Sequence, residues 1–518
     1  MAPHKGGDSL YPALQPGPVA QQQPQQIRAL ALKRPLRLCA SPSPSIERNV
    51  DGDLTCRVMG KDTMSGLFKE GDLVIGGVFP VFGGIEQIHT LFKTEPPRAN
   101  CIGQFHPERR SCELVLLSQT PQLGLLTYCV SNRFDLRAFQ WVQMMVFAVE
   151  EINMNNKLLP NITLGYRILD NCASPAETAR AGLLLANKPE EGEYVSSCPS
   201  PITAFITSNS LNIARAIGGF GIPLVSYTST CSCLSNKREF PTFSRTIPSD
   251  FFQAKALAQL VKHFGWTWIG VIQADSEYGI VGVQSFTKEV VKHGVCIAFT
   301  ENIFSTYSAT KILHLLDTIK KSTVKVILAF ASERDLRVLM QEIVRQNITG
   351  IQWIASEAWI TAARPSTVEF FRSFGGTIGF AIRKMAIPPF KEFLLNIRPS
   401  LDSANNLNNI FWEYIFGCTL RLKVESFQQN VSDTKICTGQ ERLDKIENAF
   451  FDVSQLRESY NVHNAVYAVA HALHDLLFCE KEENNTIRLC GDIARIEPWQ
   501  VSKMKLQVKS LSLLLQLH

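Results

Sequence analysis

The sequence predicts an α/β protein built on two doubly wound, mostly parallel sheets flanked by helices. Three observations carry this. From about Asp72 onward, nearly continuous apolar runs, as strands buried on both faces require, alternate with amphipathic helical periods. The alternation comes in two series, one before about Arg245 and one after. The chain has 518 residues, too many for one core, so two lobes are expected.

In order, the N-terminal segment 1–71 opens with a stretch rich in Pro, Gln, Ser and Gly, as in Gln15 to Gln26, a composition that cannot bury enough surface to fold. Strands are expected at Leu73–Val81, Leu164–Leu169, Ile202–Ile206 and Pro223–Tyr227 in the first series. In the second they are expected at Thr267–Ala274, Val324–Phe330 and Gln352–Ser356. Helices are expected over Leu136–Asn155, Phe251–Phe264, Glu333–Arg345 and Val462–Leu477. The first lobe then takes 72–248 and the second 249–382. Residues 383–490 return to the first lobe, and 491–518 form a truncated or divergent end of the second. Gly218, Gly219 and Gly221 precede a strand and read as helix termination, not as a phosphate loop. A cleft between the carboxyl ends of two such sheets is where a ligand would sit.

Composition excludes several function classes. The net charge is +5, and no block of like charge forms a nucleic-acid stripe. The 14 cysteines lack the repeated C-x-x-C pairs of a zinc site. With sequons at Asn161, Asn347, Asn430 and Asn484, they favour an oxidising, glycosylating compartment. Neither a nucleophile–base pair nor a metal cluster stands out, which argues against an enzyme. No apolar run follows a basic start, and none reaches the length of about 18 residues that a membrane span needs, so neither a signal peptide nor a membrane helix is expected in this sequence.

Seven stretches resemble one family in order: GDLVIGGVFPV (Gly71 to Val81), FAVEEINMNNKLLPNITLGYRILDNCAS (Phe147 to Ser174), IPLVSYTSTCSCLSNKREFPTFSRTIPSD (Ile222 to Asp250), HFGWTWIGVIQADSEYG (His263 to Gly279), WIASEAW (Trp353 to Trp359), GGTIGFAI (Gly375 to Ile382) and YNVHNAVYAVAHALHDLL (Tyr460 to Leu477). Together they resemble the extracellular ligand-binding domain of class C G-protein-coupled receptors, of the calcium-sensing and the fish olfactory or vomeronasal type 2 kind. The resemblance implies a bilobed Venus flytrap of the periplasmic-binding-protein type. Such a domain closes on a free amino acid, works as a homo- or heterodimer, and signals to a G protein through a membrane domain that this sequence does not contain. It places the domain on the extracellular side of the plasma membrane. It implies no cofactor beyond calcium, for which no ligands can be assigned.

By the same resemblance, Thr207, Thr228 and Thr230 meet the ligand carboxylate. Asp250, Tyr278 and Glu357, with Ser356 beside them, meet its ammonium, and Arg137 stands at the cleft mouth. Read from the residues alone, a helix cap suffices to explain Asp250, the threonines read as ordinary loop residues, and Tyr278 is equally well a core or interface residue. The stretch TAFITSNS (Thr203 to Ser210) departs from the small residues usual in the family, which predicts an altered carboxylate pocket with Phe205 as the blocking ring. The resemblance pairs Cys101 with Cys172, Cys418 with Cys437 and Cys479 with Cys490, leaves Cys231 and Cys233 without assigned partners, and leaves Cys296 a free thiol. The alternative functions are a soluble amino-acid-binding or decoy protein without signalling, or a truncated receptor fragment.

Overall fold

Every side chain from Leu73 to Phe79 is buried, so this strand has protein on both faces and lies inside a sheet. The computed structural model describes residues 64–503 except 84–133, 156, 187–201, 209, 305–308, 401–405, 421–434, 481–486 and 490. Among the described residues the first sheet has six strands: β1 (Gly66–Lys69), β2 (Leu73–Phe79), β3 (Leu164–Asp170), β4 (Ile202–Thr207), β5 (Leu224–Ser226) and β6 (Phe243–Arg245). Their order is β1-β3-β2-β4-β5-β6, antiparallel only at the β1–β3 edge.

Helices cover both faces. On one side α1 (Leu136–Asn153) packs with α12 (Glu458–Leu477): Phe139, Val142 and Met145 share a core with Val462, Val466 and Val469. On the other lie α2 (Pro175–Ala186) and α3 (Ser210–Ile217), whose Ala181 and Ile213 share a core with Val74 and Phe205. Asp135 caps α1 by accepting from the amides of Arg137 and Ala138.

The second sheet is parallel throughout, in the order β11-β10-β9-β7-β8. Its strands are β7 (Trp268–Ala274), β8 (Cys296–Ile303), β9 (Val326–Phe330), β10 (Gln352–Ala355) and β11 (Ile378–Gly379). Helices α4 (Asp250–His263) and α5 (Glu277–Val291) cover one face; α6 (Ala309–Lys321), α7 (Glu333–Arg345) and α9 (Val368–Phe374) cover the other. A reciprocal capping box between Ser332 and Asp335 starts α7. The short α8 (Glu357–Ile360) follows β10 directly, held by Trp359, whose ring N–H donates to the carbonyl of Ala329.

The fold class is therefore the expected one. Gly221, at φ +70°, ends the 3-10 turn after α3, consistent with helix termination. Both ends differ from expectation. At the start, β1 lies inside 1–71, the segment read as disordered or atypical, yet it pairs with β3 and buries Leu67. Within 491–518, assigned above to the second lobe, α13 (Pro498–Lys503) packs on the first sheet: Val501 is fully buried in that core, because its helix presents an apolar side chain to α12. Residues 504–518, and all of 1–63, lie outside the described residues.

Cys418 and Cys437 form a disulfide beside α11 (Leu407–Phe416). Cys172 is disulfide-bonded, while Cys101 and Cys490 and the side chain of Cys479 lie outside the described residues. Cys231 and Cys233, left without partners in the sequence reading, are bonded to each other. Cys296 is free and exposed. Asn161 and Asn347 are exposed at turns, both with positive φ; Asn430 and Asn484 lie outside the described residues.

Candidate ligand-binding site

Parallel strands end on the same side of their sheet, and the loops that follow them gather the polar residues singled out in the sequence. β4 ends at Thr207, β5 leads into Tyr227–Thr230, and β10 runs into Ser356 and Glu357.

The centre of the site is a pair of carboxylates. Asp250 is the first residue of α4 and fully buried. It does not cap the helix: Ser249 does, accepting from the amide of Phe251, so the carboxylate of Asp250 is free to face elsewhere. Gln253, one turn along, donates its amide N–H₂ to Oδ1 of Asp250 at 3.0 Å and to Oε2 of Glu357, and accepts the backbone N–H of Glu357 at 2.8 Å. Tyr278 donates its hydroxyl to both oxygens of Glu357 at 3.2 Å, with its ring packed on Phe330. Thr230 faces both carboxylates. Its carbonyl accepts the amide of Asp250 at 2.8 Å. Ser356 is buried behind them and donates to the carbonyl of Ala331 at 3.2 Å.

Neither acid has an ion-pair partner among the described residues. Burial, and next the charge of Glu357, pushes Asp250 up to about 8. Burial likewise raises Glu357 above the usual carboxylate range. Oδ2 of Asp250 is buried with no hydrogen-bond partner among the described residues. The nearest cation acting on Asp250, Arg245, is engaged elsewhere: its Nη1 donates to the carbonyls of Ser229, Thr230 and Cys231, and its Nη2 to Ser235. Two buried acids without a counter-charge hold an excess of acceptors, and a cationic donor satisfies them best.

A second polar group lies at the ends of β4 and β5. The hydroxyls of Thr207 and Ser210 are fully buried and without hydrogen-bond partners among the described residues. Thr228 and Ser229 both donate to the carbonyl of Ser208, and Ser229 accepts the amide of Ser210 at the start of α3. Ser229 is followed by Thr230, so one short loop joins the two groups.

Arg137 is not drawn to the carboxylates. Its Nη2 bonds Glu458 at 2.5 Å and its guanidinium stacks over Trp141. It lines a cavity of about 510 Å³ with Thr361, just past α8, and Arg457. Phe205 corrects the expectation of a blocked pocket. It points into the core between the first sheet and α2 and α3, with its ring so close over Gly76 that a Cβ there would lie 3.0 Å away. Ile206, next in the strand, points into the opposite core, as alternation requires. The sequence reading missed Gln253, Glu458 and Arg245. For Gln253 the signal was its place three residues after Asp250 on one helix face.

The family profile described as "Receptor family ligand binding region" matches residues 140–509. The chain belongs to that family. Within it, this ligand-binding region is of the class C G-protein-coupled receptor kind. It is 36% identical over 465 residues to the extracellular calcium-sensing receptor of Homo sapiens, covering 84% of this chain and 40% of that receptor. It is 28% identical over 443 residues to taste receptor type 1 member 1 of Homo sapiens, covering 83% of this chain and 46% of that receptor. The chain thus spans less than half the length of these relatives. Among the described residues no helix is long and apolar enough to cross a membrane. Nor, among those residues, does any group of three or more His, Cys, Asp or Glu side chains converge as a metal cluster would.

Proposed function

We propose that this chain is the extracellular amino-acid-sensing region of a chemosensory class C receptor, with two lobes that close on a free α-amino acid. The observation that carries this reading is the buried Asp250–Glu357 pair, bridged by Gln253 and lacking a cation. An α-ammonium supplies the missing charge and donors: it takes Oδ2 of Asp250 and the face of Glu357, with the ring of Tyr278 alongside. The unpartnered hydroxyls of Thr207 and Ser210, with Thr228 and Thr230, are suited to the α-carboxylate. The side chain extends toward the cavity between Arg137 and Thr361.

Closure follows from differential affinity. The acids belong to the second lobe and the hydroxyls to the first, so a zwitterion satisfies both only when the lobes meet, and the closed state gains population. In the complete receptor a homo- or heterodimer would carry that closure to a membrane domain and its G protein. The plasma membrane, with this region outside, is the corresponding location.

The test is a thermal-shift screen of the purified chain against the standard amino acids. A ligand at about 100 times its dissociation constant stabilises the fold by about 2.7 kcal/mol. The expected result is a shift for a subset of amino acids that is lost in Glu357→Gln. A cooperative melt that no amino acid moves, or a shift that Glu357→Gln leaves intact, overturns the reading.

A further inference from the structure

A second concave site, of about 790 Å³, shares no lining residue with the carboxylate pair or with the cavity at Arg137. One wall is α10 (Pro388–Leu395), contributing Lys391 and Leu395. The other is the stretch 443–454, two short 3-10 turns that pack against α1 through Phe450, stacked on Phe139 and bonded through its carbonyl to Gln140. The walls are firm: Phe390 and Phe393 of α10 pack on Phe147 of α1, and Met385 pairs with Leu456 just beyond the site.

The floor is apolar. Leu443 and Phe451 are buried, and Ile446 and Val453 half-buried. The rim is acidic. Asp444 is neutralised by Arg442 at 2.6 Å. Glu447 and Asp452 have no ion pair among the described residues, and Lys391, across the cavity, acts on Asp452 only from a distance. One oxygen of Asp452, Oδ1, accepts the amide of Ser454 at 2.9 Å. The cavity thus combines an apolar floor with two exposed, unpaired carboxylates on one rim, in the size range of small-molecule sites.

We propose that this cavity binds a small organic ammonium ion, distinct from the amino acid of the interlobe site: the charge lies between Glu447 and Asp452 and the apolar body over Phe451 and Leu443. The complementarity is of charge and of shape together, since an anion meets two carboxylates and a small inorganic cation leaves the floor uncovered. Occupancy also braces the chain that continues into Gln455 to Ser459, which line the cavity at Arg137, so binding here acts on that wall.

Phenethylamine and its near-isosteric anion 3-phenylpropionate are titrated into the full chain by isothermal calorimetry. The expected result is saturable millimolar binding of the amine, at least about tenfold tighter than the anion. The exposed double substitution Glu447→Gln with Asp452→Asn should weaken it by about tenfold or more, and Glu357→Gln should leave it unchanged. Equal binding of amine and anion, no saturable binding of the amine, or indifference to the double substitution overturns the proposal. Loss in Glu357→Gln also overturns it, assigning the amine to the interlobe site instead. A lysine-flanked aromatic tripeptide that binds far more tightly than the amine would mark a protein-docking groove and overturn the small-molecule reading.

Discussion

Gln253 and Glu357 hold each other at both ends: the amide N–H₂ of Gln253 donates to the carboxylate of Glu357, and the backbone N–H of Glu357 returns a hydrogen bond to the Gln253 carbonyl at 2.8 Å. Because the same N–H₂ also reaches Asp250 at 3.0 Å, one neutral side chain spaces two buried acids. Gln253→Leu removes both donors and leaves both carboxylates short of a partner. It should lower amino-acid affinity at least tenfold and destabilise the chain by about 1–3 kcal/mol, measured by calorimetry and chemical denaturation. A variant with unchanged affinity would show that the bridge does not position the pair.

The pair should also make stability and binding run in opposite directions with pH. The folded-state value of Asp250, about 8, lies above its ordinary 3.8, so between those limits the folded chain binds more protons than the unfolded one. Stability without ligand therefore falls as pH rises from about 4 to about 8 and levels off beyond, to the extent this group dominates. Ammonium binding favours the ionised pair, so affinity should rise over the same window and binding should release a proton. Calorimetry in buffers of different ionisation enthalpy reads that proton, and Asp250→Asn should weaken the pH dependence of both quantities, leaving the part due to the buried Glu357.

Phe205→Ser should not open a pocket. The ring fills the core over Gly76, so its removal leaves a cavity and a buried hydroxyl, costing about 3–5 kcal/mol. Thermal unfolding checks this, and an amino-acid affinity that improves in the variant would reverse the assignment of that face.

Arg245→Lys keeps the charge but loses the planar fork that reaches three consecutive carbonyls and Ser235. The loop carrying Thr230 should loosen, with a loss of about 1–3 kcal/mol in stability and a matching drop in amino-acid affinity. Amide hydrogen exchange over 228–236 should rise in the variant; unchanged protection there would remove Arg245 from the role.

The buried parallel strands were legible because each is a run of apolar residues on both faces. β1 and β8 were not. Phe68 of β1 is exposed and Lys69 is half-buried against Glu150 on an antiparallel edge, and β8 mixes Thr300, Glu301 and Asn302 into an exposed edge, so neither reads as a buried strand. In the site, Asp250, Tyr278 and Glu357 stood out by charge and by resemblance, and the fold brings them together. Gln253 carries no charge to mark it, and its role depends on Glu357, 104 residues away. Phe205 was misread because an unusual residue type drew attention to a pocket, whereas the strand's alternation decides which way the ring points.

The bond from the amide of Asp250 to the carbonyl of Thr230 joins the two sheets' loops within the site itself. In the proposed closing motion the contacts at Asp250 and Thr230 are common to every amino acid, while the cavity wall of Arg137 and Thr361 meets the variable side chain. Ligands of similar affinity would then differ in how far they draw the lobes together, and selectivity would appear as graded efficacy as well as strength of binding.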